Sequence, residues 1–572
     1  MAEGDEIDSG WAGRLGLWLG PLLGLVVLVV PGPADLPHAA QRLAAVVVLM
    51  AVWWATQCVP MAVTSLVPLV AFPLLGIDSA KNVASTYLTD SSMLYLGGFI
   101  IALAIERWGL HRRVALHVVK ATGTSPHGIV WGFMLATFLI SMWISNTATT
   151  LMMLPIAMAL MTSLEELLGS FDEKAPDLQT TQALGRLSCQ TYLGVAYAAS
   201  IGGVATLVGT PTNMAFVGIW EKQFPHAPPI SAGQWMATWL PFGLVYLGLA
   251  WFVLTRKLTT PAGFSRLNRD FFRERLHDLG PMSRPEWRVL LVFSLTAILW
   301  LTRTDLPLSA NLIIPGWGGQ AEDFLGWLTA GEQPASSHKD WINDSTVGLL
   351  FAVFLFVIPA GDKDGRRGSQ RLMDWPTANR LPWGILLLFG GGFAIAEGFR
   401  LTGLSRWSGD LFAYFFIGQS PVVTVLGICA LMIFLTEFTS NVATVNAVLP
   451  VFAGAAIALG LDPRLVMIPA TIATSCGFML PAGTPPNAIA FGTGRIPIGQ
   501  MLKYGLWLNL MGIVLCTAAT WVLLIPQMGI RIGEIPAWAV PVEKTSSQMG
   551  PVSTPLQKAP KSKLSPADEE KK

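Results

Sequence analysis

Apolar runs long enough to cross a membrane recur along almost the whole chain, and no other feature limits its possible folds as strongly. Candidate segments lie at 15–30, 42–58, 61–76, 91–106, 128–161, 189–219 and 235–255, then at 289–302, 345–359, 383–399, 421–459, 466–493 and 503–526. A bilayer core takes about 20 apolar residues in a helix. Its backbone must pair within the span, so runs of this length select helices. Of the residues, 52% are hydrophobic and 13% charged, against roughly 25% charged in an ordinary soluble domain. The chain reads as an all-α polytopic membrane protein, multi-pass in a bacterial inner membrane or its equivalent.

Several classes drop out. A net charge of +1 argues against a nucleic-acid partner. The cysteines at 58, 189, 429, 476 and 516 stand singly, without a CxxC pair, as small core residues do. The histidines lie in polar connections or at their edges, which removes the usual haem and intramembrane metal ligands. A GxxxxGK[ST] phosphate loop is absent from the sequence, so an ATP motor is not expected in this chain. An enzyme at membrane depth would need a nucleophile with a base, or a metal, and the polar motifs described below contain no His or Asp.

Lys and Arg crowd into "ERWGLHRRVALHVVK" (106–120), "TRKLTTPAGFSRLNRDFFRERL" (255–276) and "GDKDGRRGSQRLMDWPTANR" (361–380), while 77–90, 220–234 and 304–344 carry few positive charges. The positive-inside rule places the three basic loops in the cytoplasm, and counting back through four spans puts the N-terminus there too. The acidic "MAEGDEIDSGWAGR" start lacks the basic flank of a cleaved leader. "ERWGLHRRVALHVVK" has the pattern of an interfacial amphipathic helix or a solvated connecting one. The Lys-, Ser- and Pro-rich tail predicts disorder.

Two long runs hold polar centres. "SMWISNTATTLMMLP" (141–155) lies within 128–161, and "TEFTSNVATVNAVLP" (436–450) lies within 421–459. Each run is too long for one untilted span and too short for two with a turn. Both fit a re-entrant hairpin of two short helices meeting at a polar tip. Backbone left unpaired at that depth must be buried in protein or line a cavity, and Ser, Asn and Thr can cap helix ends while offering oxygens. "GGVATLVGTPTNMAF" (202–216) and "GFMLPAGTPPNAIAF" (477–491) each place Gly-Thr-Pro-x-Asn inside an apolar segment. Proline removes a backbone donor and glycine permits a break, so each segment predicts a broken helix. The order hairpin, broken helix therefore occurs twice, and the basic loops put the two hairpin entrances on opposite faces. That arrangement predicts an inverted-repeat secondary transporter with its site at the midplane.

At these residues the sequence resembles the divalent anion:sodium symporter family of sodium-coupled dicarboxylate, citrate and sulfate transporters. "SNTAT" (145–149), "TEFTSNVAT" (436–444), the two Gly-Thr-Pro-x-Asn segments and "WWATQCVPMAVTSLVP" (53–68) carry the resemblance. It implies a homodimer of elevator type, in which a moving domain carries a dicarboxylate past a static scaffold. By position the resemblance gives these parts: a cytoplasmic N-terminus (1–14), scaffold and interfacial helix (15–127), transport half 1 (128–255), cytoplasmic loop with scaffold (256–420), transport half 2 (421–527) and a tail (528–572). It puts Ser145, Asn146, Thr147, Thr210 and Pro211 on one side of the anion. Ser440, Asn441, Val442, Thr484 and Pro485 lie on the other. One sodium site would draw on Ser141, Ser145, Asn146 and Gly209; the second would draw on Thr436, Thr439, Asn441 and Gly483.

The chemistry of the residues agrees. Hydroxyl, amide and carbonyl oxygens suit Na+, the expected coupling ion, and helix N-termini beside bound cations suit a dianion. None of the four motifs contains Arg or Lys, so sodium must supply much of the compensating charge and its binding must be coupled to that of the anion. Glu437 is read as a brace for the second hairpin. Val442 replaces the hydroxyl that Thr147 offers on the other tip. C4-dicarboxylates by sodium symport are the leading expectation. A sodium-independent dicarboxylate exchanger and a sulfate carrier share the same motifs, and an anion channel is the alternative from another class.

Overall fold

Helix boundaries follow prolines, glycines and hydroxyl caps. The computed structural model describes residues 11–123, 125–169, 178–260, 277, 279–309, 312–328, 341–361 and 370–540. The acidic first ten residues, the basic stretches 261–276 and 362–369 and the tail beyond 540 lie outside the described residues. Among the described residues, eight helices are long and apolar enough to cross a membrane, or up to nine if a bent pair counts as one span. A two-stranded antiparallel pair, β1 (Leu306–Ser309) and β2 (Leu312–Ile314), interrupts the helices within one connection.

After α1 (Trp11–Val29), the helices fall into two series of the same order. The first is α2 (His38–Thr56), the short helices Met61–Thr64 and Val67–Leu74, α3 (Asp90–Arg107), α4 (Leu110–Thr122), α5 (Pro126–Ser141), α6 (Asn146–Gly169), α7 (Leu178–Val204), α8 (Pro211–Gln223) and α9 (Ala232–Thr255). The second is α10 (Arg284–Thr302), α11 (Asp344–Val357), α12 (Trp383–Thr402), α13 (Leu404–Ala413), α14 (Pro421–Thr436), α15 (Asn441–Ala458), α16 (Pro463–Thr474), α17 (Pro485–Phe491) and α18 (Ile498–Ala519). Each sequence-predicted long run is thus two helices, with breaks at 142–145 and 437–440. Each Gly-Thr-Pro-x-Asn segment is an unwound stretch followed by a new helix starting at the proline.

Local chemistry repeats along with the order. Ser125 and Ser420 cap α5 and α14, each followed by a proline at the first helical position, where the missing N–H costs nothing. Gly109 and Gly403, at φ 72° and 77°, turn the chain into the amphipathic α4 and α13. In α4, Leu110, His111, Ala115 and Val119 are buried while Arg112, His117 and Lys120 are exposed, which is the amphipathic face pattern read from the sequence. Trp54 Nε1 donates to Met61 O, the first residue of the helix that follows; Trp300 Nε1 likewise donates to Asp344 O. Arg42 on α2 donates to Leu75 O, as Arg288 on α10 does to Pro359 O.

Packing directions match as well. Met134 and Phe138 on α5 lie beside Gly194 and Gly202, so α5 and α7 run parallel. Trp131 meets Trp251 and Phe138 meets Gly243, so α9 runs antiparallel to α5. In the second series Cys429 meets Pro469 and Thr436 meets Gly477, making α14 and α16 parallel. Ile433 meets Gly512 and Glu437 meets Asn509, so α18 is antiparallel to α14. Across the series, α6 packs on α17 while α15 packs on α8. Such reciprocal exchange is what a twofold relation produces. Residues 187–210 and 461–478 are buried without a gap. Helices apolar on every side belong at the centre of a membrane protein, and here they deliver the two unwound stretches to the core.

Candidate functional site

The first break gathers oxygens around Asn146. This residue starts α6, and the inward atom of its amide lies 2.9 Å from Ser141 Oγ, 3.0 Å from Ala199 O and 3.3 Å from Gly209 O. Ser141 Oγ also lies 2.7 Å from Ala199 O. The second break repeats the group: the inward atom of the Asn441 amide is 2.6 Å from Thr436 Oγ1, 3.1 Å from Gly483 O and 3.3 Å from Thr474 O. With nitrogen inward, each amide donates to its neighbours. With oxygen inward, each group presents four oxygens with a single hydroxyl proton, of Ser141 or Thr436, to share among them, a donor-poor set whose chemistry suits a cation.

Glycine makes the close approach possible. A Cβ on Gly203 would stand 2.2 Å from Asn146 Oδ1, and one on Gly209 would meet Gly203 O at 2.7 Å and Met142 O at 3.0 Å. On the other side, a Cβ on Gly483 would be 2.8 Å from Glu437 Oε2. The freed carbonyls are held by the asparagine of each Gly-Thr-Pro-x-Asn motif. Asn213 Nδ2 donates to Gly203 O at 3.1 Å and Thr206 O at 2.8 Å; Asn487 Nδ2 donates to Gly477 O at 3.2 Å and Leu480 O at 3.1 Å. Buried carbonyls left unpaired would each cost about 1–3 kcal/mol.

The seam between tip and unwound stretch is closed differently on the two sides. In the first, the Thr206 hydroxyl donates to Met142 O and accepts from Gly209 N at 3.0 Å. In the second, Glu437 stands where Met142 does, and its carboxylate accepts from Met479 N and Leu480 N, both at 2.8 Å. Asn509 Nδ2 adds a third donor at 2.6 Å. Glu437 therefore joins the hairpin to the break, the bracing role expected from its position.

The structure brings Ser141, Asn146 and Gly209 into one cluster and Thr436, Asn441 and Gly483 into the other. The side chains of Ser145 and Thr439 are engaged elsewhere. Ser145 Oγ accepts from Ala148 N at 3.3 Å, capping α6. Thr439 Oγ1 lies 3.0 Å from Leu435 O and 2.6 Å from Thr444 Oγ1. Of the residues expected to face an anion, Ser145, Thr147, Pro211, Ser440 and Asn441 are half-buried and Pro485 is exposed. Asn146, Thr210, Val442 and Thr484 are buried. Thr210 Oγ1 lies 3.5 Å from Thr212 Oγ1, and Thr484 Oγ1 accepts from Asn487 N at 3.4 Å.

Four helices begin at these residues: α6 at Asn146, α8 at Pro211, α15 at Asn441 and α17 at Pro485. Helix N-termini carry partial positive charge and free N–H groups, the ordinary means of holding an anion without a basic side chain. The two tips differ in cover. Trp143 packs on Phe293 and Trp300, at ring-centroid distances of 5.0 and 6.5 Å; Phe438, at the same place on the second tip, is 72% exposed.

Sequence reading assigned no role to Ala199, Thr474, Thr206 or Asn509. Asn213 and Asn487 stand out in the sequence as members of their motif, but the carbonyls they hold do not. The motif's second occurrence was the available signal for the asparagines. The carbonyls of Ala199 and Thr474 leave no signal, because every residue carries one.

Comparison with known proteins gives a consistent result. The model of the sodium:sulfate symporter transmembrane region matches residues 15–526. The chain is 37% identical over 524 residues to the sodium-dependent dicarboxylate transporter SdcS of Staphylococcus saprophyticus, covering 91% of this chain and 92% of that one. It is 37% identical over 526 residues to SdcS of Staphylococcus aureus, covering 91% and 94%. Among solved structures, the antimetabolite efflux pump MtrF of Neisseria gonorrhoeae superposes with a TM-score of 0.51 at 14% identity, over 90% of this chain and 98% of that one. That likeness concerns the fold alone.

Proposed function

The chain belongs to the sodium:sulfate symporter family of multi-pass membrane transporters, and from that premise we propose that it carries C4-dicarboxylates such as succinate, malate or fumarate inward with sodium. The observation that carries this reading is the pair of matched oxygen clusters, each beside two helix N-termini, in motifs that lack any Arg or Lys. A dianion at neutral N–H donors needs positive charge nearby, and sodium held by four oxygens supplies it. The two amides are the moving parts in this proposal. Asn146 and Asn441 turn oxygen inward around a cation and nitrogen inward without one, so cation binding changes the surface offered to the anion. The SdcS proteins, named as sodium-dependent dicarboxylate transporters, support the choice of ion and of substrate class.

The transport domain would comprise 128–255 and 421–527, the scaffold 15–127 and 256–420, in a homodimer working by an elevator motion. The matched series of helices and their reciprocal packing favour two repeats inverted across the membrane, joined to the scaffold through α4 on α5 and α13 on α15. The covered first tip and open second tip fit one end of such a stroke.

The deciding experiment is uptake of labelled succinate into proteoliposomes. Accumulation against its own gradient, driven by an inward sodium gradient, is expected. Uptake that ignores sodium and needs unlabelled succinate inside would make the protein an exchanger. Equilibration without accumulation would make it a channel, and competition by sulfate but not by malate would change the substrate class.

Orientation has its own test. In a background lacking the five native cysteines, Arg112→Cys is expected to react with an impermeant maleimide only from the cytoplasm, and His226→Cys only from outside. Both positions are exposed. Reaction of both from the same face would break the inverted arrangement.

A further inference from the structure

We propose that Asn509, on α18, is a positioning residue for the second cation cluster and acts through Glu437; this rests on the reading of the clusters as sodium sites. Asn509 is fully buried, and both ends of its amide are used. Nδ2 donates to Glu437 Oε1 at 2.6 Å, and Oδ1 accepts from Phe478 N at 3.0 Å. One side chain thus ties the last helix to the second tip and to the unwound stretch. Glu437 receives Met479 N on Oε1 and Leu480 N on Oε2 in addition. All three of these partners are neutral N–H groups, which hold a carboxylate in place without cancelling its charge.

That charge adjoins the cluster from two directions. Glu437 follows Thr436, whose Oγ1 lies 2.6 Å from the Asn441 amide. Glu437 Oε2 also sits against Gly483, whose carbonyl belongs to the cluster. The first cluster is built without this feature. Met142 stands in place of Glu437, the Thr206 hydroxyl closes the seam, and Trp235 Nε1 on α9 ties the break by donating to Val204 O at 3.0 Å. A fixed negative charge a few ångströms from a cation in a low-dielectric interior outweighs any single neutral ligand. The second cluster is therefore the stronger cation site, and its strength depends on where Asn509 holds the carboxylate.

The test reads half-saturating sodium and maximal rate separately in succinate uptake by the full-length protein. Asn509→Leu is expected to raise half-saturating sodium about tenfold, since it removes a hydrogen bond to a charged group. The maximal rate at saturating sodium should stay within about twofold of wild type, because no atom of the cluster is lost. Asn509→Gln keeps the donor and acceptor and should give a smaller shift; it carries the test if the leucine variant is not recovered. In a Glu437→Gln background, adding Asn509→Leu should produce little further rise, as coupled residues do. Trp235→Phe, which cuts the corresponding tie of the first half, should leave half-saturating sodium nearer to wild type. A reduced maximal rate with unshifted sodium dependence, effects that add fully with Glu437→Gln, or an equal shift in Trp235→Phe would each overturn the proposal. Wild-type uptake indifferent to sodium would overturn the reading of the clusters themselves.

Discussion

Alanine at Asn146 or at Asn441 is expected to abolish succinate uptake while the protein still reaches the membrane. Each amide stands among three other oxygens of its cluster and begins a helix whose N-terminus faces the proposed anion. In the proposed mechanism its loss removes a cation ligand and the group linking ion to substrate. Two charge-assisted interactions at about 1.5 kcal/mol or more each amount to at least a hundredfold in apparent affinity. Folding should suffer less, since the cavity left is small and polar and can admit water. Gly203→Ala provides a check that leaves the asparagine in the chain. The added Cβ would stand 2.2 Å from Asn146 Oδ1, so the amide must leave its position. This variant should fail like Asn146→Ala. Either asparagine variant transporting at near wild-type rate would show that the clusters are not the site.

The largest expected effect on stability is at the crossing of α13 and α15. A Cβ on Gly454 would lie 1.9 Å from Ser405 O, and one on Gly409 would lie 2.3 Å from the Gly454 carbonyl carbon. Both neighbours are backbone, so no rotamer change relieves the clash and the helices must separate. Overpacking of this kind costs about 1–3 kcal/mol, occasionally more. Gly454→Ala should therefore lower the thermal transition of the detergent-extracted protein and reduce its yield. Gly248→Ala is the internal control, because that position, on α9, has open space around it. There alanine should be neutral or stabilising, by up to about 1 kcal/mol from helix propensity. Equal losses at both positions would remove the close crossing as the cause.

Much of this architecture was legible because membrane constraints write themselves into one dimension. Run length identified the helical segments, proline and glycine marked where α7 and α16 end before α8 and α17 begin, and hydroxyl-rich tips marked the breaks before α6 and α15. The wider repeat was harder to see. Trp54 and Trp300, or Arg42 and Arg288, are unremarkable in sequence, and they pair only through the carbonyls that each side chain reaches. Glu437 could be singled out as an acid in an apolar run. That Met479 N, Leu480 N and Asn509 all converge on it could not be seen, since they come from 42 to 72 residues away.

The composition of the oxygen clusters marks the boundary between the two kinds of information. Sequence determined which side chains could contribute: Ser141 with Asn146 and Thr436 with Asn441, five residues apart in each case, so that one helix end and the next helix start meet across a short break. Tertiary structure alone decided the rest. It supplied the carbonyls of Ala199 and Thr474, and it engaged the hydroxyls of Ser145 and Thr439 at helix ends. The reason is physical. A side chain's chemistry is specified residue by residue, but every residue has the same carbonyl, and it becomes a ligand only where a helix stops and a neighbouring element faces the gap.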